Sequence, residues 1–122
     1  MRFAVWVRNM TTILLPWPSR ELSPNARVHW SKKAKAAKYS RLYAFVRAKE
    51  SKWVVPATGK ITLTIEFVKP SRRRMDLDNM LAGMKPALDG IAQALGVDDS
   101  RFRYLLDVAD EPLKGGVVRV TI

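Results

Sequence analysis

The sequence contains no cysteine and only one histidine, His29, among its 122 residues. The first absence removes disulfide scaffolds, zinc–thiolate sites and thiol catalysis together, and it suits a reducing cytoplasm. With no second histidine, His29 reads as a structural residue rather than a catalytic base. No apolar run approaches the roughly 18 residues needed to span a bilayer, so no membrane partner is expected. The opening segment, Met1 to Arg8, has too short an apolar stretch for a signal peptide and lacks a small-residue cleavage site. Residues 1–9 read instead as a strand or a short extension. There is no internal repeat and no low-complexity segment. Acidic residues are also scarce, 11 against 22 Lys and Arg.

The resulting net charge of +11 is unevenly placed. Residues 1–60 hold thirteen Lys and Arg against only Glu21 and Glu50, whereas residues 61–122 hold nine of each sign. A basic surface releases the counterions condensed on a phosphate backbone, which makes nucleic acid the natural partner. A merely solvated basic face, or a ribosome-like structural role, fits the charge as well. Hydrophobic residues make up 48% and charged residues 27%, the composition of a globular protein. The length fits one domain over residues 1–122.

Thr11 to Leu15 reads as a first strand, stopped by Pro16-Trp17-Pro18, where prolines deny ladder hydrogen bonds. Ser31 is placed to cap a helix running to about Glu50. That helix carries Lys32, Lys33, Lys35, Lys38, Arg41, Arg47 and Lys49 around an apolar set of Leu42, Phe45 and Val46, so a charged face can lie along phosphates. From Lys60 to Val68 the residues alternate, with Ile61, Leu63, Ile65 and Phe67 on one face, as in a half-buried strand. Pro70 ends it and the basic turn Ser71-Arg72-Arg73-Arg74 leads to Asp76. A second helix is expected from about Leu77 to Leu95, stopping at Gly96, with Pro86 bending its axis. Tyr104–Val108 and Val117–Ile122 read as strands joined through a turn-rich segment, and so as a hairpin. The order β-α-β-α-β-β predicts an α+β domain with two main helices on a small mixed sheet.

Five of the eleven acids fall between Asp76 and Asp99: Asp76, Asp78, Asp89, Asp98 and Asp99. Leu81, Met84, Leu88, Ile91 and Leu95 form one helical stripe for the core. On a regular helix, spacings of seven and four align Asp78, Lys85 and Asp89 on a neighbouring face. Gathered carboxylates repel unless something positive lies between them. Mg²⁺ is the usual answer, held by one to a few carboxylates with water and phosphate completing the octahedron. A lysine beside it can orient a nucleophile or stabilise charge on the phosphate. The same residues also fit plainer duties. Asp76 and Asp78 suit helix capping, Asp98-Asp99 a surface turn, and Lys85–Asp89 an i,i+4 pair. An EF-hand is excluded, because its later Gly and Glu are missing.

The run Arg72-Arg73-Arg74-Met75-Asp76-Leu77-Asp78-Asn79, followed by a lysine, a helix and an Asp-Asp pair, resembles the RusA-type Holliday junction resolvases. These are bacterial enzymes, commonly carried on prophages. The resemblance extends to Leu15-Pro16-Trp17-Pro18, Ser23-Pro24-Asn25 and Lys114-Gly115-Gly116, and covers nearly everything from Met10 onward. It implies a crossover junction endodeoxyribonuclease of the bacterial cytoplasm that binds Mg²⁺, with Mn²⁺ as a substitute, through Asp76, Asp78 and Asp99. Lys85 would be its active-site lysine, and Asp98 and Asp89 secondary acids. Family members with a shorter spacing would place that lysine at Ala82. The resemblance further implies a homodimer, whose two-fold symmetry matches a four-way junction needing two opposed nicks. No small-molecule cofactor is expected. Arg72, Arg73, Arg74, Lys32, Lys33, Lys35, Lys38 and Arg41 are the candidate DNA contacts. The alternatives are a non-catalytic branched-DNA-binding module and a broader branched-DNA nuclease of phage DNA processing.

Overall fold

Among the described residues, four strands and three helices build a mixed sheet covered on one face, an α+β architecture. The computed structural model describes residues 12–122, so the expectation for residues 1–9, like Thr11 at the head of the first strand, lies outside the described residues. In chain order the elements are β1 (Thr12–Pro16), α1 (Trp30–Ser51), β2 (Ile61–Val68), α2 (Leu77–Gly83), α3 (Lys85–Leu95), β3 (Phe102–Val108) and β4 (Val117–Thr121). Short 3-10 turns at Arg20–Leu22 and Asp99–Arg101 complete them.

The strand order is β1-β4-β2-β3. β4 runs antiparallel to both β1 and β2, and β3 runs parallel to β2. The expected β3–β4 hairpin is therefore wrong. Parallel neighbours need a crossover connection, and α2 and α3 supply it, bringing β3 alongside β2. The segment expected to be a hairpin turn instead crosses the end of β2. There the Ala109 amide donates to the Phe67 carbonyl at 2.9 Å and the Leu113 amide to that of Lys69 at 2.9 Å. Gly116 completes the crossing at φ +69°, with Pro70 and Trp17 each 3.1 Å from where a Cβ would stand.

Strand alternation sets the two faces apart. Ile13, Leu15, Leu63, Ile65, Phe67, Val118 and Val120 are buried against Ala44, Ala48, Met84, Leu88 and Ile91 of the helices. On the opposite face Leu14, Thr64, Arg103, Leu105 and Arg119 are exposed, and Arg119 donates to Glu66 across the β2–β4 register at 2.7 Å.

Helix α1 starts two residues earlier than the sequence suggests, and its cap is His29 rather than Ser31. The imidazole Nδ1 accepts the Ser31 amide at 3.2 Å, the role of an N-cap side chain. The expected apolar set on α1 also differs. Leu42 and Val46 are exposed, and the inward residues are Ala44 and Ala48. Small side chains let α3 approach closely, and its Gly90 lies against the backbone of Arg41.

The single helix expected from Leu77 to Leu95 is two helices meeting at Met84, which ends α2 and caps α3. Pro86 is the cause: it has no amide to donate to Ala82, and its ring crowds that carbonyl. A break before it places Pro86 in the first turn of α3, where a missing N–H costs nothing.

Candidate active site

Asp76 lies in extended backbone at the end of the basic turn and caps α2, with Oδ1 accepting the Asp78 amide at 3.0 Å. The capping duty is thus realised for Asp76. Its side chain borders a cavity of about 560 Å³ together with Arg73, Arg74, Asn79 and the Trp17-Pro18 turn. Lys69 steadies the basic turn by donating to the Arg73 carbonyl at 3.2 Å. Arg72 points elsewhere and pairs with Glu111.

Asp78, in the first turn of α2, borders a different cavity of about 570 Å³ lined also by Leu81, Ala82, Lys85, Leu88 and Tyr104. Lys85 is the first residue of α3. Its ammonium donates to Asp89 Oδ1 at 2.8 Å and to Asp99 Oδ2 at 2.7 Å. The first contact is an i,i+4 pair within α3, while the second closes a loop of the chain between α3 and the turn before β3. Asp98 is directed away, with its Oδ2 accepting the Ser100 hydroxyl at 2.5 Å. The structure therefore separates the two members of the Asp-Asp pair and sets Asp99 against the lysine.

The electrostatics follow from this geometry. Hydrogen bonds donated to Asp89 and then to Asp99 hold the Lys85 ammonium well above the ordinary lysine range, so the group stays cationic. The bond from Lys85 lowers the Asp99 carboxyl. Tyr104, half-buried on β3, has its hydroxyl pushed up, chiefly by burial and then by the charge of Asp99. All these ion pairs are open to solvent, so they set positions more than they stabilise the fold.

Among the described residues no group of three or more Asp, Glu or His is arranged to hold a metal ion. The positive charge found between Asp89 and Asp99 is the Lys85 ammonium. Asp76 and Asp78, both exposed, and the half-buried Asp99 nevertheless offer hard oxygen donors, the type that suits Mg²⁺ bound by one or two carboxylates with water and phosphate. Sequence reasoning gave Tyr104 no site role. The signal was available in the alternation Phe102, Tyr104, Leu106, which turns Tyr104 toward the helical face.

The remaining candidates spread over two regions. Lys32, Lys33, Lys35, Lys38 and Arg41 are exposed along α1, and Arg73 and Arg74 are exposed beside Asp76. No helix among the described residues is long and apolar enough to cross a membrane.

No protein-family model matches the chain. Over 119 residues, 95% of this chain and 78% of the relative, it is 48% identical to an uncharacterized protein of Xylella fastidiosa (strain Temecula1 / ATCC 700964). At that identity and coverage, the chain belongs to the same family as the Xylella protein.

Proposed function

We propose that the chain is a Mg²⁺-dependent, structure-specific DNA endonuclease of the RusA type, which resolves four-way junctions by paired nicks as a homodimer in the bacterial cytoplasm. The observation that carries this reading is the 2.7 Å contact between Lys85 and Asp99. It brings the lysine of the sequence motif together with the second aspartate of its Asp-Asp pair, and Lys85 lines a cavity that Asp78 also borders. Asp76, Asp78 and Asp99 would hold the metal, which when bound polarises a phosphate ester toward attack by water near neutral pH.

The chain's own groups supply the rest. Arg73 and Arg74 beside Asp76 hold phosphates on either side of the scissile bond. Lys85 stays protonated, so it offsets charge developing on the phosphate and does not abstract a proton. A phosphate entering the site would compete with Asp89 and Asp99 for that ammonium, which would leave the Asp99 carboxylate free as one of the donors that would hold the metal. The basic face of α1 holds the flanking arm of the junction.

A second reading, a binding module without catalysis, is favoured by one observation: Asp76 and Asp99 already have protein partners. Replacing either by Asn separates the two. A nuclease loses cleavage while junction binding stays equal or strengthens, because repulsion of the phosphates falls. A binding module shows no Mg²⁺-dependent cutting before or after the change.

A further inference from the structure

A third cavity, of about 460 Å³, lies between the Trp17-Pro18 turn and α1. Its size is that of a small-ligand pocket. Its walls include Trp17, Tyr39, Tyr43 and Met84, with Lys32 and Lys35 beside them. Trp17 is braced edge-on against Phe67, ring centres 6.0 Å apart. Tyr39 is 63% exposed and lies 6.1 Å from Tyr43, with the rings tilted by 39°. The acid on this wall, Glu21, is bonded to the Ser19 hydroxyl.

This cavity shares Trp17, Pro18 and Ser19 with the one that carries Arg73, Arg74 and Asp76. A path of aromatic rings and cations therefore runs from α1 to the capping aspartate. Aromatic faces interleaved with cations suit a single strand, whose bases stack while its phosphates pair. An apolar peptide would gain nothing from Lys32 and Lys35. A branch point also supplies bases that cost little to unstack.

Building on the nuclease reading above, we propose that this cavity receives one unstacked base of the strand that is cut, with Lys32 and Lys35 on the adjoining phosphate. The base anchors the strand, so that the phosphate presented to Asp76 lies at a fixed distance from it. The pocket then sets where the nick falls.

The test uses synthetic four-way junctions, each with one abasic nucleotide at successive positions around the branch point. They are titrated with the full chain in EDTA, so that binding is read without cleavage. The expected result is one position where loss of the base weakens binding by about five- to 150-fold, the range of a single base–aromatic stack. Tyr39→Ala, at a ring too exposed to matter for folding, should weaken binding to the intact junction by a similar factor. It should also erase the sensitivity at that position and leave the salt dependence unchanged. Ala36→Trp, which fills the cavity, should act in the same way. Equal affinity for every abasic junction, or a sensitive position that persists in Tyr39→Ala, overturns the base pocket and leaves the nuclease reading standing. Failure of the wild-type chain to bind the junction at all overturns both.

Discussion

Gly90→Ala is expected to destabilise the protein although it places a better helix former inside a helix. A Cβ at this position would lie 2.2 Å from the Arg41 carbonyl oxygen, 3.0 Å from its carbon and 3.2 Å from Cα. All three are backbone atoms, so no side-chain rotation relieves the clash, and α3 must retreat from α1 by about 1 Å. The buried residues of the two helices include Ala44, Ala48, Ala87 and Ile91. A gap of that size forfeits roughly a quarter to a half of each contact well. Overpacking typically costs about 1–3 kcal/mol, and a backbone obstacle belongs at the upper end. The gain in helix propensity offsets about 1 kcal/mol, leaving a net loss of about 2 kcal/mol. For a domain of this length, that lowers Tm by roughly 6–10 °C. Thermal melts followed by circular dichroism, with urea titrations at 25 °C, measure it. An unchanged or raised Tm would refute the close approach of α1 and α3. Because α3 begins at Lys85, the same shift should also reduce cleavage in the folded fraction.

Three further outcomes bear on the site. Lys85→Ala should slow cleavage more than it weakens junction binding, and Ala82→Lys in that background should restore part of the rate, since both positions border the cavity of Asp78; steady-state kinetics that show a pure affinity loss would return Lys85 to the general basic surface. Tyr104→Phe should leave binding intact and lower the cleavage rate if the hydroxyl faces the reacting phosphate, and single-turnover rates equal to wild type would remove it from the site. Junction affinity should fall steeply with salt, and Lys32→Ala or Lys35→Ala should each reduce the slope of log K against log salt by about 1. A flat salt response would undo the charge argument.

The sequence was most legible where period and charge act locally. Strand β2 could be read from its alternation, and the core stripe of Met84, Leu88 and Ile91 from its helical spacing, because each depends on burial of one face. Asp98-Asp99 could be seen as a motif, but which of the two meets Lys85 depends on a 3-10 turn that no period reveals. The hairpin expectation failed because pairing of β3 was decided by the α2–α3 crossover, a non-local event, while the turn-rich segment before β4 was tied to Phe67 and Lys69. Pro86 was expected to bend a helix and in fact divides it. The inward face of α1 was misread because Ala44 and Ala48 carry little apolar signal beside Leu42 and Val46. Their small size matters only once α3 and Gly90 are packed against them. A lone histidine in the sequence implies a structural role, and the capping bond of His29 to the Ser31 amide gives that role a specific form.

The most direct test of the central claim is cleavage of a synthetic four-way junction against a matched linear duplex, with Mg²⁺ or EDTA, for the wild type and Asp99→Asn. The expected result is paired nicks in opposed strands of the junction alone, abolished by EDTA and by Asp99→Asn while binding persists. Tight binding with no cleavage in Mg²⁺ or Mn²⁺, or full activity in Asp99→Asn, would contradict it and leave Lys85 and Asp99 as a surface ion pair on a DNA-binding module.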